Sequence, residues 1–202
     1  METKLPKRKT PHLKNYDYGK SGVYFVTICT ENRRQLLSHI VRADSTAVNE
    51  TNSLHLVGEG LAPPENNGFE QTISLQNEPT SFANNYKVIL TPIGKIAEEQ
   101  ILDLEKRFCN VKIKSYVIMP DHIHILVNLR MESGGASPSP TLNDVVCAFK
   151  SLTSRKCKSM FKVEKLFQRS YADHVIRDRE DYDKRLKYIC ENPIRWYYNN
   201  KS

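Results

Sequence analysis

The sequence predicts an α+β protein of ferredoxin-like plan, β-α-β-β-α-β with a further helix at the C-terminal end. Three observations carry this. Two apolar, β-branched runs, Val111 to Met119 and His122 to Leu129, meet at Pro120-Asp121, a turn dipeptide, and so form a strand pair. Two stretches with helical periodicity, residues 92–108 and 142–160, flank that pair. A last periodic stretch, residues 178–192, opens with acids and ends before a proline.

Taken in order, Val23 to Thr30 is an apolar, β-branched strand. Residues 44–86 lack sustained periodicity and are rich in Asn, Gly, Pro, Ser, Thr and Glu, so they are expected to form an inserted flexible loop ahead of Val88-Ile89-Leu90. The helix over 92–108 has Thr91 as N-cap, Pro92 at its first position, and Ile93, Ile96, Ile101, Leu104 and Phe108 on its inward face. Gly134 to Pro140 is a loop. The helix over 142–160 turns Leu142, Val145, Val146, Phe149 and Leu152 inward, and a short strand near 171–176 precedes the last helix. In that helix Asp178 is the N-cap, Tyr182, Leu186 and Ile189 make the buried stripe, and Pro193 is expected to mark the stop, which leaves Tyr197 and Tyr198 off the helix. A sheet with helices on one face leaves its other face free.

Two histidines stand out. His122 and His124 flank one apolar residue in a strand, and strand side chains alternate, so both imidazoles point to one face. Two adjacent imidazoles fill a core poorly and hold a metal ion well. The spacing alone leaves satisfied core histidines open as well. On the last helix, Tyr188 lies about 120° from Tyr182 at ~100° per residue. It sits on the polar flank, and Asn192 follows one turn later on the same face. His174, beside Asp173, either supports a site there or makes a structural hydrogen bond between strand and helix.

These residues carry a family resemblance. Gly22-Val23-Tyr24-Phe25-Val26-Thr27, Tyr116 through His124, Phe149-Lys150-Ser151, Tyr171 through Arg177, and Tyr188-Ile189-Cys190-Glu191-Asn192-Pro193 occur in the order found in single-tyrosine HUH transposases. Among these the chain most resembles the REP-associated tyrosine transposases and their IS200-like relatives, over about residues 16–43 and 86–197. The resemblance implies an antiparallel sheet carrying the histidines, helices on one face, and a C-terminal helix bearing the nucleophile. It implies an enzyme that cleaves and rejoins single-stranded DNA with hairpin structure, through a covalent 5′-phosphotyrosine. It matches Tyr188 to the nucleophile, His122 and His124 to the metal pair, Asn192 to a third, amide ligand, and magnesium or manganese to the ion. Residues 44–86 depart from the family pattern.

The chemistry fits those residue types. A free phenol has a pKa near ~10 and is a weak nucleophile at neutral pH. A divalent ion makes the phosphate more electrophilic and aligns it for in-line attack. Two neutral imidazoles and an amide leave the ion's charge uncancelled, which suits an anionic substrate. Imidazole ligands favour manganese over magnesium. No Cys-x-x-Cys pair accompanies the histidines, which argues against structural zinc.

Composition agrees. The 202-residue chain suits a single domain, read as residues 16–197 behind a basic arm over residues 1–15. Five scattered cysteines suggest reduced thiols in a cytosol, and no signal peptide or membrane-length apolar run is seen. The net charge is +7, and residues 51–85 contribute four glutamates and no Lys or Arg, so the rest carries +11. Basic residues gather at Lys4, Lys7, Arg8, Lys9 and Lys14, and again at Lys150, Arg155, Lys156, Lys158, Lys162, Lys165 and Arg169. Interleaved with Tyr16, Tyr18, Phe161, Phe167 and Tyr171, these clusters suit single-stranded nucleic acid, cations to the backbone and rings to the bases. Lys150 is either such a phosphate contact or a solvated lysine. The expectation is a cytoplasmic DNA transposase, monomer or homodimer. The alternatives are a non-catalytic hairpin DNA- or RNA-binding module and another HUH nuclease such as a replication initiator.

Overall fold

A computed structural model describes residues 20–42, 55–56, 86–130 and 140–200. The strands are β1 (Gly22–Cys29), β2 (Ser38–Arg42), β3 (His55–Leu56), β4 (Tyr86–Leu90), β5 (Val111–Ile118), β6 (His122–Leu129) and β7 (Ala172–Ile176). The helices are α1 (Pro92–Arg107), α2 (Leu142–Phe161) and α3 (Arg179–Asn199), with a single 3₁₀ turn at Glu31–Arg33. The main sheet runs β3-β5-β6-β1-β7 and every neighbouring pair is antiparallel. Its four long strands, interleaved with α1 and α2, make the ferredoxin-like α+β sheet expected of the sequence.

Local chemistry explains where the elements start. The Thr91 side chain accepts from the Gly94 amide at 3.0 Å, and Pro92 occupies the first turn of α1, where a missing N–H costs nothing. Gly94 is required for a second reason: a Cβ there would lie 1.9 Å from the Leu37 carbonyl oxygen. That carbonyl also accepts from the Thr91 amide at 3.0 Å, so the chain before β2 is locked to the start of α1. Thr141 and Asp144 form a reciprocal capping box at α2. Asp178 caps α3, accepting from the Asp181 amide at 2.8 Å.

Two hydrophobic layers cover the sheet. On one face Tyr24, Val26, Ile28, Ile123, Ile125, Val127 and Leu129 pack against Ile96, Ile101 and Leu104 of α1 and Leu142, Val145 and Phe149 of α2. On the other, Phe25, Val117, Met119 and Leu126 pack against Val88 of β4 and Ile189 of α3. A bulge in β5 between Ile113 and Ser115 resets its alternation. Ile113 before it and Tyr116 and Ile118 after it therefore all reach the first face.

Four expectations need correcting. The second face is not free, because α3 lies across it. Pro193 does not end α3, which continues to Asn199 and carries Tyr197 and Tyr198 on it. An interior proline removes one backbone hydrogen bond and costs ~3 kcal/mol, but the last turns are held by packing. Trp196 lies against His122, and Tyr197 against Tyr86, at ring-centroid distances of 5.9 and 4.8 Å. The third correction is a two-stranded ribbon, β2 with β4, that periodicity did not disclose. Fourth, the expected 44–86 loop is shorter at its far end, since Tyr86 begins β4. Within it, His55 and Leu56 pair with Tyr116 and Ser115. The rest of that stretch and the basic arm, with Lys7, Arg8, Lys9 and Lys14, lie outside the described residues.

Candidate active site

Strand β6 presents His122 and His124 to the face covered by α3, and both are buried. Their rings meet edge to face at 4.6 Å between centroids. Each Nδ1 is engaged. His122 Nδ1 lies 2.5 Å from the Asp121 carboxylate, which accepts from it. His124 Nδ1 lies 2.9 Å from Thr27 Oγ1. Thr27 reaches it because β1 and β6 pair in a register that sets Thr27 opposite His124. With Nδ1 held in each ring, the opposite nitrogen, Nε2, is the one left to bind something else.

His124 shows the need for a ligand most directly. Its Nε2 is buried and has no hydrogen-bond partner among the described residues. Burial first, then His122, Arg33 and Arg185, lower its pKa from 6.5 to about 3, so the ring is neutral across the physiological range. A neutral imidazole is the form that donates a lone pair to a metal. Phe25 stacks on the ring at 5.0 Å and fixes its plane.

Helix α3 brings three residues over this pair at successive turns. The Tyr188 ring meets His124 edge-on at 5.2 Å. Trp196 lies 5.9 Å from His122. Asn192 falls midway between them on the same helical face and is buried. The helix is anchored upstream of these residues. His174 of β7 contacts Asp181 at 2.6 Å, so the strand-to-helix hydrogen bond is the role the structure gives it. Burial acts to raise the Asp181 pKa, but the His174 hydrogen bond and charge, with Arg185, outweigh it and hold the carboxyl below its usual range. Arg185 in turn lies over the Phe25 ring at 5.4 Å.

His122, His124 and Tyr188 are thus brought together, with Asn192 buried one turn beyond Tyr188 on α3. The residues singled out for DNA on and after α2 are not. Helix α2 packs on the opposite face of the sheet. Lys150 donates to the Gln168 and Arg169 carbonyls at 2.7 and 2.8 Å, and burial lowers its pKa. It ties α2 to the segment before β7 from a half-buried position. Lys156 pairs with Glu99 of α1 at 3.2 Å, while Arg155 and Arg169 are exposed. Tyr171 and Phe167 are core residues, too buried to stack bases. Sequence reasoning passed over Thr27, Asp121, Arg185 and Trp196. Asp121 was visible as the neighbour of His122, but Thr27 shows only once strand register is known.

The donor set fits a divalent ion: two imidazole nitrogens, one of them buried without a partner, and an amide on the facing helix. Among the described residues no three His, Cys, Asp or Glu side chains are grouped to hold a metal.

Residues 81–192 match the sequence model of the family described as IS200-like transposases, more than half of the chain, and the chain belongs to that family. It is 23% identical over 204 residues to an uncharacterized protein of Haemophilus influenzae, covering 94% of this chain and 89% of that protein. Its fold is similar to a REP-associated tyrosine transposase solved bound to a REP hairpin. That match has a TM-score of 0.50 and 14% identity, over 91% of this chain and 73% of the other. No described helix is long and apolar enough to cross a membrane.

Proposed function

We propose that this transposase cleaves and rejoins single-stranded DNA, with Tyr188 as nucleophile and His122, His124 and Asn192 as holders of a magnesium or manganese ion. The observation that carries the reading is the α3 face on which Tyr188, Asn192 and Trp196 lie over the histidine pair. When bound, the ion would polarise the scissile phosphate and offset charge on the departing oxygen.

The protein's own part is positioning. Thr27 and Asp121 fix the two imidazole planes. The edge contacts of Tyr188 with His124 and Phe25, at 5.2 and 6.0 Å, hold its phenol beside that pair. In the first step the Tyr188 oxygen bonds to phosphorus and the bond from phosphorus to the 3′-oxygen breaks. The phenol gives up a proton and the leaving oxygen takes one. The product is a 5′-phosphotyrosine and a free 3′-hydroxyl, and attack by another 3′-hydroxyl reverses the step. Hairpin-bearing DNA is the substrate class, supported by the hairpin ligand of the similar transposase structure.

The test is to incubate purified protein with single-stranded DNA from the flanks of its own gene and manganese, then map any covalent adduct. The nucleotide is expected on the peptide holding Tyr188. Tyr188→Phe removes one oxygen and should cut adduct formation by ~10³-fold or more while DNA binding survives. An adduct on Tyr182 or Tyr171, or full cleavage by the phenylalanine variant, would overturn the assignment.

A further inference from the structure

The turn after β1 holds two consecutive non-glycine residues in the left-handed region, Asn32 at φ 54° and Arg33 at φ 55°. Strain of this kind persists only where surroundings impose it. Here they do. Thr30 donates to the Asp121 carbonyl from its amide at 2.9 Å and from its hydroxyl at 3.0 Å. The Glu31 amide donates to the Leu166 carbonyl at 2.8 Å, and Lys165 pairs with the Glu31 carboxylate at 2.8 Å. Arg34 donates to the Glu31 and Lys165 carbonyls. Every one of these ties is made by a neighbour of Arg33. None needs an arginine at position 33, where glycine would be easier.

What the turn achieves is the placement of one cation. The Arg33 side chain is 54% exposed and makes one contact among the described residues, Nη1 to Asp121 Oδ2 at a loose 3.5 Å. The other oxygen of that carboxylate holds His122. The guanidinium therefore stands one carboxylate away from the histidine pair, with most of its five donors unspent. The nearby cations have further commitments: Arg34 and Lys165 to the turn itself, Arg185 to both Asp181 and the Phe25 ring face, and Arg195 to Glu191. A planar fork one carboxylate away from a buried imidazole pair has the donors to grip a phosphate by two oxygens.

We propose that Arg33 grips the scissile phosphate of DNA seated over His122 and His124, neutralising its charge while Tyr188 attacks. The inference rests on the function proposed above. The strained turn is then the means by which a rigid scaffold aims this cation.

The experiment is single-turnover adduct formation on two oligonucleotides, one with a normal phosphodiester at the scissile position and one with an uncharged methylphosphonate. On the phosphodiester, Arg33→Ala should slow adduct formation by ~10²-fold, with Arg33→Lys between the two. On the methylphosphonate, wild type and Arg33→Ala should react at similar rates, because the charge that Arg33 meets is gone. Arg33→Gly should slow the phosphodiester reaction as much as Arg33→Ala while matching or exceeding the wild-type melting temperature, since it relieves the positive φ. Equal losses on both substrates, or none on either, would overturn the proposal. Binding by Tyr188→Phe protein, which cannot react, separates this result from the chemistry above. Adding Arg33→Ala to it should lower the slope of log affinity against log salt by ~0.7. An unchanged slope overturns the grip on phosphate. An unchanged requirement for Arg33 in binding, with no adduct from wild type, overturns the chemistry and leaves the grip standing.

Discussion

Strand β6 is buried on both sides along its whole length, yet its two faces have different characters. One presents Ile123, Ile125, Val127 and Leu129 to α1 and α2, a dry apolar layer. The other presents His122, His124, Leu126 and Asn128 toward α3, and there the His124 Nε2 and both Asn128 side-chain polar atoms lack partners among the described residues. Buried polar atoms cost free energy when left unpaired. The first face is satisfied throughout, while the second carries buried polar atoms that cost stability, which the function proposed above explains as a place for reactive groups. Exposure does not separate these faces, and satisfaction of polar atoms does.

The largest break in this comparison comes from adjacent alanine substitutions on β6. Ile125→Ala should cost ~2–5 kcal/mol of unfolding free energy, because a filled apolar layer cannot close over the cavity. Its cleavage at a temperature where it remains folded should stay near wild type. His124→Ala should lose cleavage by ~10²-fold or more, with much less change in stability, since it also removes an unpartnered polar atom. Chemical denaturation and adduct assays on both variants measure this crossing. Similar stability losses from the two would mean that both faces serve the same purpose.

A second effect is smaller and depends on pH. The folded pKa of His124, about 3, lies below its ordinary 6.5, so the unfolded chain binds this proton more readily than the folded one. Stability from the neutral ring is fully present above 6.5 and drains away as pH falls from 6.5 toward 3. His124→Phe keeps an aromatic ring between Phe25 and Tyr188 without a titrating nitrogen. In a chelator, its unfolding free energy should fall less steeply than wild type over that acid range. Identical slopes would show that the His124 ring is not the group that resists protonation.

The faces also differ in how much of them the sequence discloses. Alternation and helical periodicity mark β6 at its observed bounds, the inward stripes of α1 and α2, and the shared flank of Tyr188 and Asn192, because all of these are local. Strand β2 is five residues long, and its partner β4 lies beyond the 43–85 stretch, so no local pattern reports the pairing. Pro193 reads as a stop because its cost is local, while the contacts of Trp196 and Tyr197 that outweigh it are not. Where Lys150 and Tyr171 sit is hidden for a related reason. Spacing puts residues on a helix face or strand face, but it does not say which layer of the protein that face meets. Thr27 and Arg33 are hidden further, one behind strand register and the other behind backbone φ angles.

The smallest expected effect lies far from the site, on the dry side. Thr141 and Asp144 close the N-terminus of α2 with two reciprocal bonds. Asp144 Oδ2 accepts from the Thr141 amide at 2.9 Å, and Thr141 Oγ1 accepts from the Asp144 amide at 3.3 Å. Thr141→Ala removes the second of these, together with the bond the Thr141 hydroxyl donates to Asp144 Oδ2 at 2.7 Å, and should cost ~1 kcal/mol of stability. Helix α2 lies in the layer opposite the candidate site and contributes no residue to it. Cleavage and metal dependence should therefore be unchanged at a temperature where the variant is folded. Loss of activity without loss of fold would show that the stability face transmits strain to the reactive one, and the separation drawn here between the two faces would have to be given up.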